Sequence, residues 1–213
     1  MKKRDFAKVD IYPVISSEFT AGRSPIEVLK MVADGGAKIV QMREKNMADR
    51  ERLALAEIYR KITEEYDMML IINDSPLIAA MVAADGVHLG QDDLPISAVR
   101  RYFPGLQVGV STHDEEEARR AQEEGCDFLN VGPIYSTQTK TLAMAPVGLE
   151  TLERCRRLLA VPFSVMGGIK QHHLAELAAL GVRTVAMVTE ITMAEDVTGK
   201  VKALRRELIG ADV

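Results

Sequence analysis

Cysteine is scarce, basic charge is not in excess and no long apolar run occurs, and each absence removes a class of function. The two cysteines, Cys126 and Cys155, have neither a close spacing nor a companion pair of histidines. They read as reduced structural thiols, with no base beside them in sequence to suggest a nucleophile. A formal net charge of -4 and a pI near 5.7 argue against a nucleic-acid-binding surface, which needs clustered Lys and Arg in clear excess. Nowhere do about 18 apolar residues run together, and the opening MKKRDFAKVDIYPV lacks the apolar segment of a signal peptide. A soluble, cytoplasmic protein is therefore expected, without membrane or nucleic-acid partners. The histidines His88, His113, His172 and His173 show no H-E-x-x-H or similar spacing and are expected to be structural or surface residues.

What the chain has instead is a repeated phrase: a short apolar run, a polar loop, an amphipathic helix, then Gly or Asp-Gly leading into the next run. This is βα punctuation. Strands are expected at 11–16, 38–42, 69–72, 86–89, 107–110, 128–131, 163–166 and 184–188. Helices are expected at 25–33, 49–65, 75–83, 96–102, 114–124, 149–159, 172–179 and 194–208. Ser24-Pro25-Ile26-Glu27 is a capping box with Pro at the first helical position, and Gly35, Gly86, Gly125 and Gly181 sit where helices should stop. Eight βα units within 213 residues, 47% of them hydrophobic, fit one (β/α)8 TIM barrel domain over 1–213, with function on the loops after the strands. A doubly wound open sheet is the runner-up, but it would want a G-x-G-x-x-G after the first strand, where Ser16-Ser17-Glu18-Phe19 stands. Glu115–Arg119 and Glu116–Arg120 read as solvated i,i+4 pairs on a helix surface.

If the barrel is right, the strand ends should compose one site. The stretch IINDSPLIAAMVAADGVHLGQDD holds two apolar runs, each ending in acids: Asn73-Asp74 and Gln91-Asp92-Asp93. Carboxylates meeting above the sheet would raise one another's pKa unless a divalent cation lay between them, and hard oxygen ligands favour Mg²⁺ over zinc. The alternative is that Asp74 caps the following helix and that Asp92 and Asp93 lie in a solvated turn. After the second strand, Gln41, Arg43 and Lys45 fall on one side by the period of two, an amide and two cations suited to phosphate or carboxylate. Ser111 and Thr112 offer hydroxyls after the fifth strand. The loop Ser136-Thr137-Gln138-Thr139-Lys140 can set two hydroxyls and an ammonium around phosphate oxygens and close over a ligand. Gly167-Gly168 and Thr189, after strands seven and eight, sit where this fold usually cradles phosphate. The sum is one Mg²⁺ site and two anion-binding regions.

The segments QMREK, NDS, DGVHLGQDD, GVSTH, GPIYSTQTK, GGI and MVTEI, in this order across nearly the whole chain, resemble thiamine-phosphate synthase. The resemblance implies a Mg²⁺-dependent transferase. It would join a hydroxymethylpyrimidine diphosphate to a methylthiazole ethyl phosphate, expelling pyrophosphate before the thiazole nitrogen captures the pyrimidine-methyl cation. It further implies that Gln41, Arg43, Lys45, Asn73 and Lys140 contact the pyrimidine diphosphate, with Ser111 beside the pyrimidine. Asp74 and Asp93 would hold the metal, and Thr137, Thr139, Gly167, Gly168, Val188 and Thr189 would form the thiazole-phosphate side. Arg43, Lys45, Ser111 and Lys140 carry the catalytic expectation. Where many members have an acid after GPIYSTQTK, this chain has Thr141-Leu142-Ala143-Met144, and it carries Met166 and Thr189 where smaller residues or Ser are common. Two other readings stay open: a non-catalytic thiamine-precursor binding protein, suggested by Leu142, and a thiazole tautomerase, which would lack most of the diphosphate and Mg²⁺ residues. Whether the chain forms a homodimer is also open.

Overall fold

The structure, a computed structural model, describes residues 4–137 and 145–210. All eight expected strands form: β1 (Ile11–Ile15), β2 (Ile39–Met42), β3 (Met69–Asn73), β4 (Gly86–Leu89), β5 (Gln107–Thr112), β6 (Phe128–Val131), β7 (Phe163–Val165) and β8 (Val185–Met187). Each pairs in parallel with the next, and β8 returns to β1 through Ile11↔Val185, Tyr12↔Ala186 and Pro13↔Met187, closing the barrel. The helices are α1 (Pro25–Asp34), α2 (Asp49–Glu65), α3 (Pro76–Met81), α4 (Ile96–Tyr102), α5 (Glu115–Glu123), α6 (Gly148–Leu158), α7 (Leu174–Ala179), a short α8 (Thr189–Thr192) and α9 (Val197–Ile209). No helix among the described residues is long and apolar enough to cross a membrane.

A strand in a parallel barrel is covered on both faces, which is why these runs are apolar at almost every position rather than alternating. The outward residues, such as Val40, Leu70, Val87, Val108, Leu129 and Val185, pack under the helices in one large core. The inward residues Tyr12, Ile39, Met69, Ile71, Phe128 and Ala186 form a second core inside the barrel. A single 3₁₀ turn, Phe6–Lys8, seals that inner core from below. Phe6 stacks on Phe128 with ring centroids 4.0 Å apart and meets Tyr12 edge-on at 5.9 Å. Gly109 makes room for this stopper, because a Cβ there would collide with the Phe128 ring.

The expected capping box is present: Ser24 Oγ accepts the Ile26 N–H, and the Glu27 carboxylate accepts the Ser24 N–H at 3.1 Å. One expected helix stop is corrected. α3 ends at Met81 without Gly86, which opens β4 instead; a side chain there would strike the Gln107 carbonyl of β5. The charges on α5 also pair differently from the expectation. Arg119 binds Glu116 and Glu123, Glu115 is taken by Arg154 of α6, and Arg120 reaches Gln91.

At the amino end of the barrel an aspartate precedes each of three strands and binds a helix arginine together with a strand N–H. Asp10 binds Arg205 and Ile11 N; Asp85 binds Arg60, Arg4 and Leu70 N; Asp127 binds Arg100 and Val108 N. The Asp85 and Arg60 side chains are only 5% and 7% exposed, so neither charge can recover its hydration if the other is lost. Asp85→Ala is expected to lower the unfolding free energy by about 3–5 kcal/mol, the scale of stripping one partner from a buried ion pair. Urea unfolding measures this; an unmoved midpoint would mean that the clamp contributes nothing.

Candidate active site

The carboxyl ends of the strands open on one mouth, where the described residues expected there gather in groups, Lys45 with Asp74 and Asp93, and Thr137 with Gly167, Gly168, Val188 and Thr189. Asp74 follows β3 in the left-handed region at φ 62°, a conformation Asp tolerates better than most non-glycine residues. Its N–H donates to the His88 carbonyl at 2.9 Å, and its Oδ2 lies 2.8 Å from Lys45 Nζ. It is not the cap of α3, because that place belongs to Ser75, whose Oγ accepts the Ile78 N–H at 3.3 Å. Asp93 Oδ2 accepts the Gly90 N–H at 2.7 Å, and its carboxyl lies close enough to Asp74 for the two to perturb each other. Burial pushes the Asp93 carboxyl above the ordinary aspartate range. Asp74 beside it pushes the same way, while the Gly90 N–H and Lys45 oppose the rise. Two carboxylates from different loops are thus held together against their mutual repulsion. Asp92 beside them is exposed, as a turn residue would be.

The second strand's contribution is divided. Gln41 is only 1% exposed and points into the barrel, where its Nε2 donates to Tyr12 Oη at 2.9 Å. It keeps the side of the strand that the period of two assigns it with Arg43, but sits one layer deeper than the two cations. Arg43 lies half-buried just beyond the strand, its N–H bonded to Ile15 O at 2.8 Å, and its guanidinium holds no ion pair among the described residues. Lys45 is half-exposed and turned toward Asp74. Between Arg43 and Lys45, Glu44 faces the other way and accepts from both Ser17 N and Ser17 Oγ, at 2.9 and 2.7 Å.

Inside the mouth a polar layer crosses the sheet. Asn73 pairs in register with His88, Ser111 with Asn130, and Asn130 with Ser164. His88 Nε2 lies 2.9 Å from Ser111 Oγ, and the Ser111 carbonyl accepts from Gln91 Nε2 at 2.6 Å. Gln91 Oε1 in turn accepts from Arg120 at 2.6 Å. His88 directly, and Arg120 through Gln91, thus brace Ser111, and no local pattern in the sequence connects either with it. The one available signal was a histidine at the inward phase of an apolar strand.

Across the barrel, Thr137, Gly167, Gly168, Val188 and Thr189 line one cavity of about 570 Å³ with Met166 on its floor. Gly167 and Gly168 have φ of 101° and 62°, and side chains there would collide with Pro133 and with the Ser136 carbonyl, so the loops after β6 and β7 meet only because both positions are glycine. Arg23 ties the end of α8 to the loop after β1, donating to the carbonyls of Thr192 and Ala194 at 2.9 and 2.8 Å. Burial pushes Glu190 up, but bonds from Lys170, Lys200 and the Gln171 N–H outweigh it and hold the carboxyl below its usual range. Thr139, Lys140 and Leu142 lie outside the described residues. Cys126 and Cys155 are buried away from this mouth, with burial raising both thiols to about 11, so neither supplies a thiolate near neutral pH.

Comparison with known proteins agrees with this geometry. Residues 11–191 match the family model described as thiamine monophosphate synthase. The chain is 43% identical over 199 residues to the thiamine-phosphate synthase of Pelotomaculum thermopropionicum, covering 93% of this chain and 91% of that one. With that of Caldicellulosiruptor bescii it shares 40% over 204 residues, covering 95% and 93%. The structure of a thiamine phosphate pyrophosphorylase from Pyrococcus furiosus superposes with a TM-score of 0.87 at 30% identity, covering 95% of this chain and 96% of that one. A 3-hexulose-6-phosphate synthase, at TM-score 0.69 and 20% identity, shares the fold alone. Since likeness in sequence and in barrel extends over nearly the whole length of both partners, the chain belongs to the thiamine-phosphate synthase family, transferases that make thiamine phosphate.

Proposed function

We propose that this mouth condenses a hydroxymethylpyrimidine diphosphate with a methylthiazole ethyl phosphate, releasing pyrophosphate in a Mg²⁺-dependent, dissociative reaction. The observation that carries this reading is the Asp74–Asp93 pair. Two neighbouring carboxyls from different loops, one of them also raised by burial, form a donor set short of counter-charge, and Lys45, 2.8 Å from Asp74 Oδ2, supplies only part of it. Among the described residues no third acid or histidine joins them, which suits Mg²⁺ better than a metal enclosed wholly by protein, because Mg²⁺ is commonly held by one or two carboxylates plus substrate phosphates. When bound to Asp74, Asp93 and the diphosphate, the ion would neutralise charge gathering on the leaving group.

The chain's own residues do the rest. Arg43, free of ion pairs among the described residues, and Lys45 bind the diphosphate and stabilise its charge as the C–O bond breaks. Asn73, at the end of β3, faces the same group, and Lys140 joins it by the resemblance. The electron pair of that bond leaves with pyrophosphate, and the thiazole nitrogen's lone pair forms the new C–N bond. No proton moves, so the lack of a general base is consistent with the chemistry. Ser111, braced by His88, positions the pyrimidine, and Gln41 lies beneath it. Thr137, Gly167, Gly168, Val188 and Thr189 receive the thiazole phosphate in the 570 Å³ cavity, and Thr139 joins them by the resemblance. The barrel walls keep out water, which would otherwise trap the cation.

The purified protein supplied with both phosphorylated heterocycles and Mg²⁺ is expected to release pyrophosphate, and background release alone would reject the reading. Arg43→Ala is expected to lower kcat/KM by about 10²-fold, the scale of one preorganised electrostatic contact. Asp93→Asn should cost activity to a similar or greater extent and yet stabilise the metal-free fold. The sign follows from the raised carboxyl: the folded state resists ionisation of Asp93, so the wild type loses stability as pH rises from the ordinary aspartate range through the raised one. Asparagine abolishes that loss. Thermal melts of both proteins without metal from pH 4 to 8 test it, and equal pH slopes would refute it.

A further inference from the structure

The geometry points to Asn130 as a specificity-determining residue that donates a hydrogen bond to a ring nitrogen of the pyrimidine; this rests on the function proposed above. Asn130 is 2% exposed on β6 and lines a small cavity, about 30 Å³, with Ser111 and His113. Thr137, Met166 and Gly167 line both this cavity and the larger one, so the compartment that Asn130 lines adjoins the larger one. Its Oδ1 accepts from Ser164 Oγ of β7 at 3.2 Å, which leaves the NH₂ edge to the residues above Ser164 and to the cavity. Among the described residues the only acceptor for that edge is the Met166 thioether, 3.5 Å from Nδ2. A thioether is a weak acceptor and an amide carries two N–H donors, so a buried amide is left with donor capacity directed at the cavity. Burying such a group without a partner is costly, and a ligand acceptor would satisfy it.

Chemistry selects which ring supplies the acceptor. A donor on the thiazole nitrogen would occupy the lone pair that must attack, so an amide there would inhibit the reaction. The pyrimidine has two ring nitrogens whose lone pairs lie in the ring plane and take no part in bond making. Ser111, the register partner of Asn130, brings a second polar group to the same level. A hydrogen bond to a pyrimidine nitrogen withdraws electron density and gives no help to a developing cation. Its contribution is therefore to placement and selection, and it should register in KM rather than kcat.

The test is steady-state kinetics on the full chain, wild type and Asn130→Ala, varying each substrate against a saturating amount of the other. The KM for the pyrimidine diphosphate is expected to rise about tenfold, the scale of one hydrogen bond. The thiazole KM and kcat should stay within about twofold. Two analogues in which CH replaces one or the other ring nitrogen complete the cycle. One of them should lose about tenfold on the wild type and nothing further on Asn130→Ala. An unchanged pyrimidine KM in the variant, a loss appearing in kcat or in the thiazole KM, or a wild type indifferent to both analogues overturns the assignment. If Asn130→Ala does not fold by circular dichroism, the wild-type comparison of the analogues decides alone. A wild type that releases no pyrophosphate from the natural pair overturns the proposed function, and this inference with it, whereas an active wild type with an indifferent Asn130 overturns the inference only.

Discussion

The pairing of β8 with β1 is the constraint on which the molecule depends. Until Ile11, Tyr12 and Pro13 find Val185, Ala186 and Met187, the eight βα units form a curved open sheet whose ends lie far apart. Closure makes the strand ends into a ring, and only then do Arg43, Asp74 and Asp93 share a neighbourhood with the glycines after β7. The contact is between nearly opposite ends of the chain, so its entropic cost is met late, after the local units exist. Thr184 supports the seam by donating its hydroxyl to Val9 O at 2.7 Å.

Inside the ring, chemistry changes with height. The lower layers are hydrocarbon and aromatic, filled by Phe6, Tyr12, Met69 and Phe128. The upper layer is polar, with Gln41, His88, Ser111, Asn130 and Ser164 bonded in pairs or to the layer beneath. Most of these polar groups survive at that depth because their neighbours satisfy them, the Asn130 NH₂ excepted, and each satisfied pair also fixes a rotamer. The arginine–aspartate clamps sit at the other end, around Asp10, Asp85 and Asp127. The end that holds the fold together and the end that carries the site are separate, so the acids at the mouth can repel one another without unseating the barrel.

Much of this was legible in the sequence, and what was not has physical reasons. Strands buried on both faces announce themselves as apolar runs, and the acids that end two of them mark the mouth. The chain order of QMREK, NDS and GQDD carried the resemblance, and the comparisons bear it out. The Phe6 stopper escaped because one 3₁₀ turn has no periodicity, and its only signal is a lone aromatic among charges. Gly86 was misassigned because helix stops and close strand approaches both favour glycine, and only the partner strand tells them apart. Arg120 looked like half of a solvated i,i+4 pair, yet it reaches across to Gln91, a contact 29 positions away that no local window contains. The depth of Gln41 was not legible because strand phase gives a face but not a height: it shares Arg43's side of the strand and lies one layer lower.

The Phe6–Phe128 stack gives the barrel a floor, and a chamber with a floor has one doorway. On the function proposed here, the heterocycle bound against the inner polar layer has to arrive while the cavity above it is empty, since no second entrance lets it pass beneath a seated partner. Entry is consequently ordered from the bottom up: the lower heterocycle is seated first, and once the new bond has formed the two go out through the same doorway as one molecule.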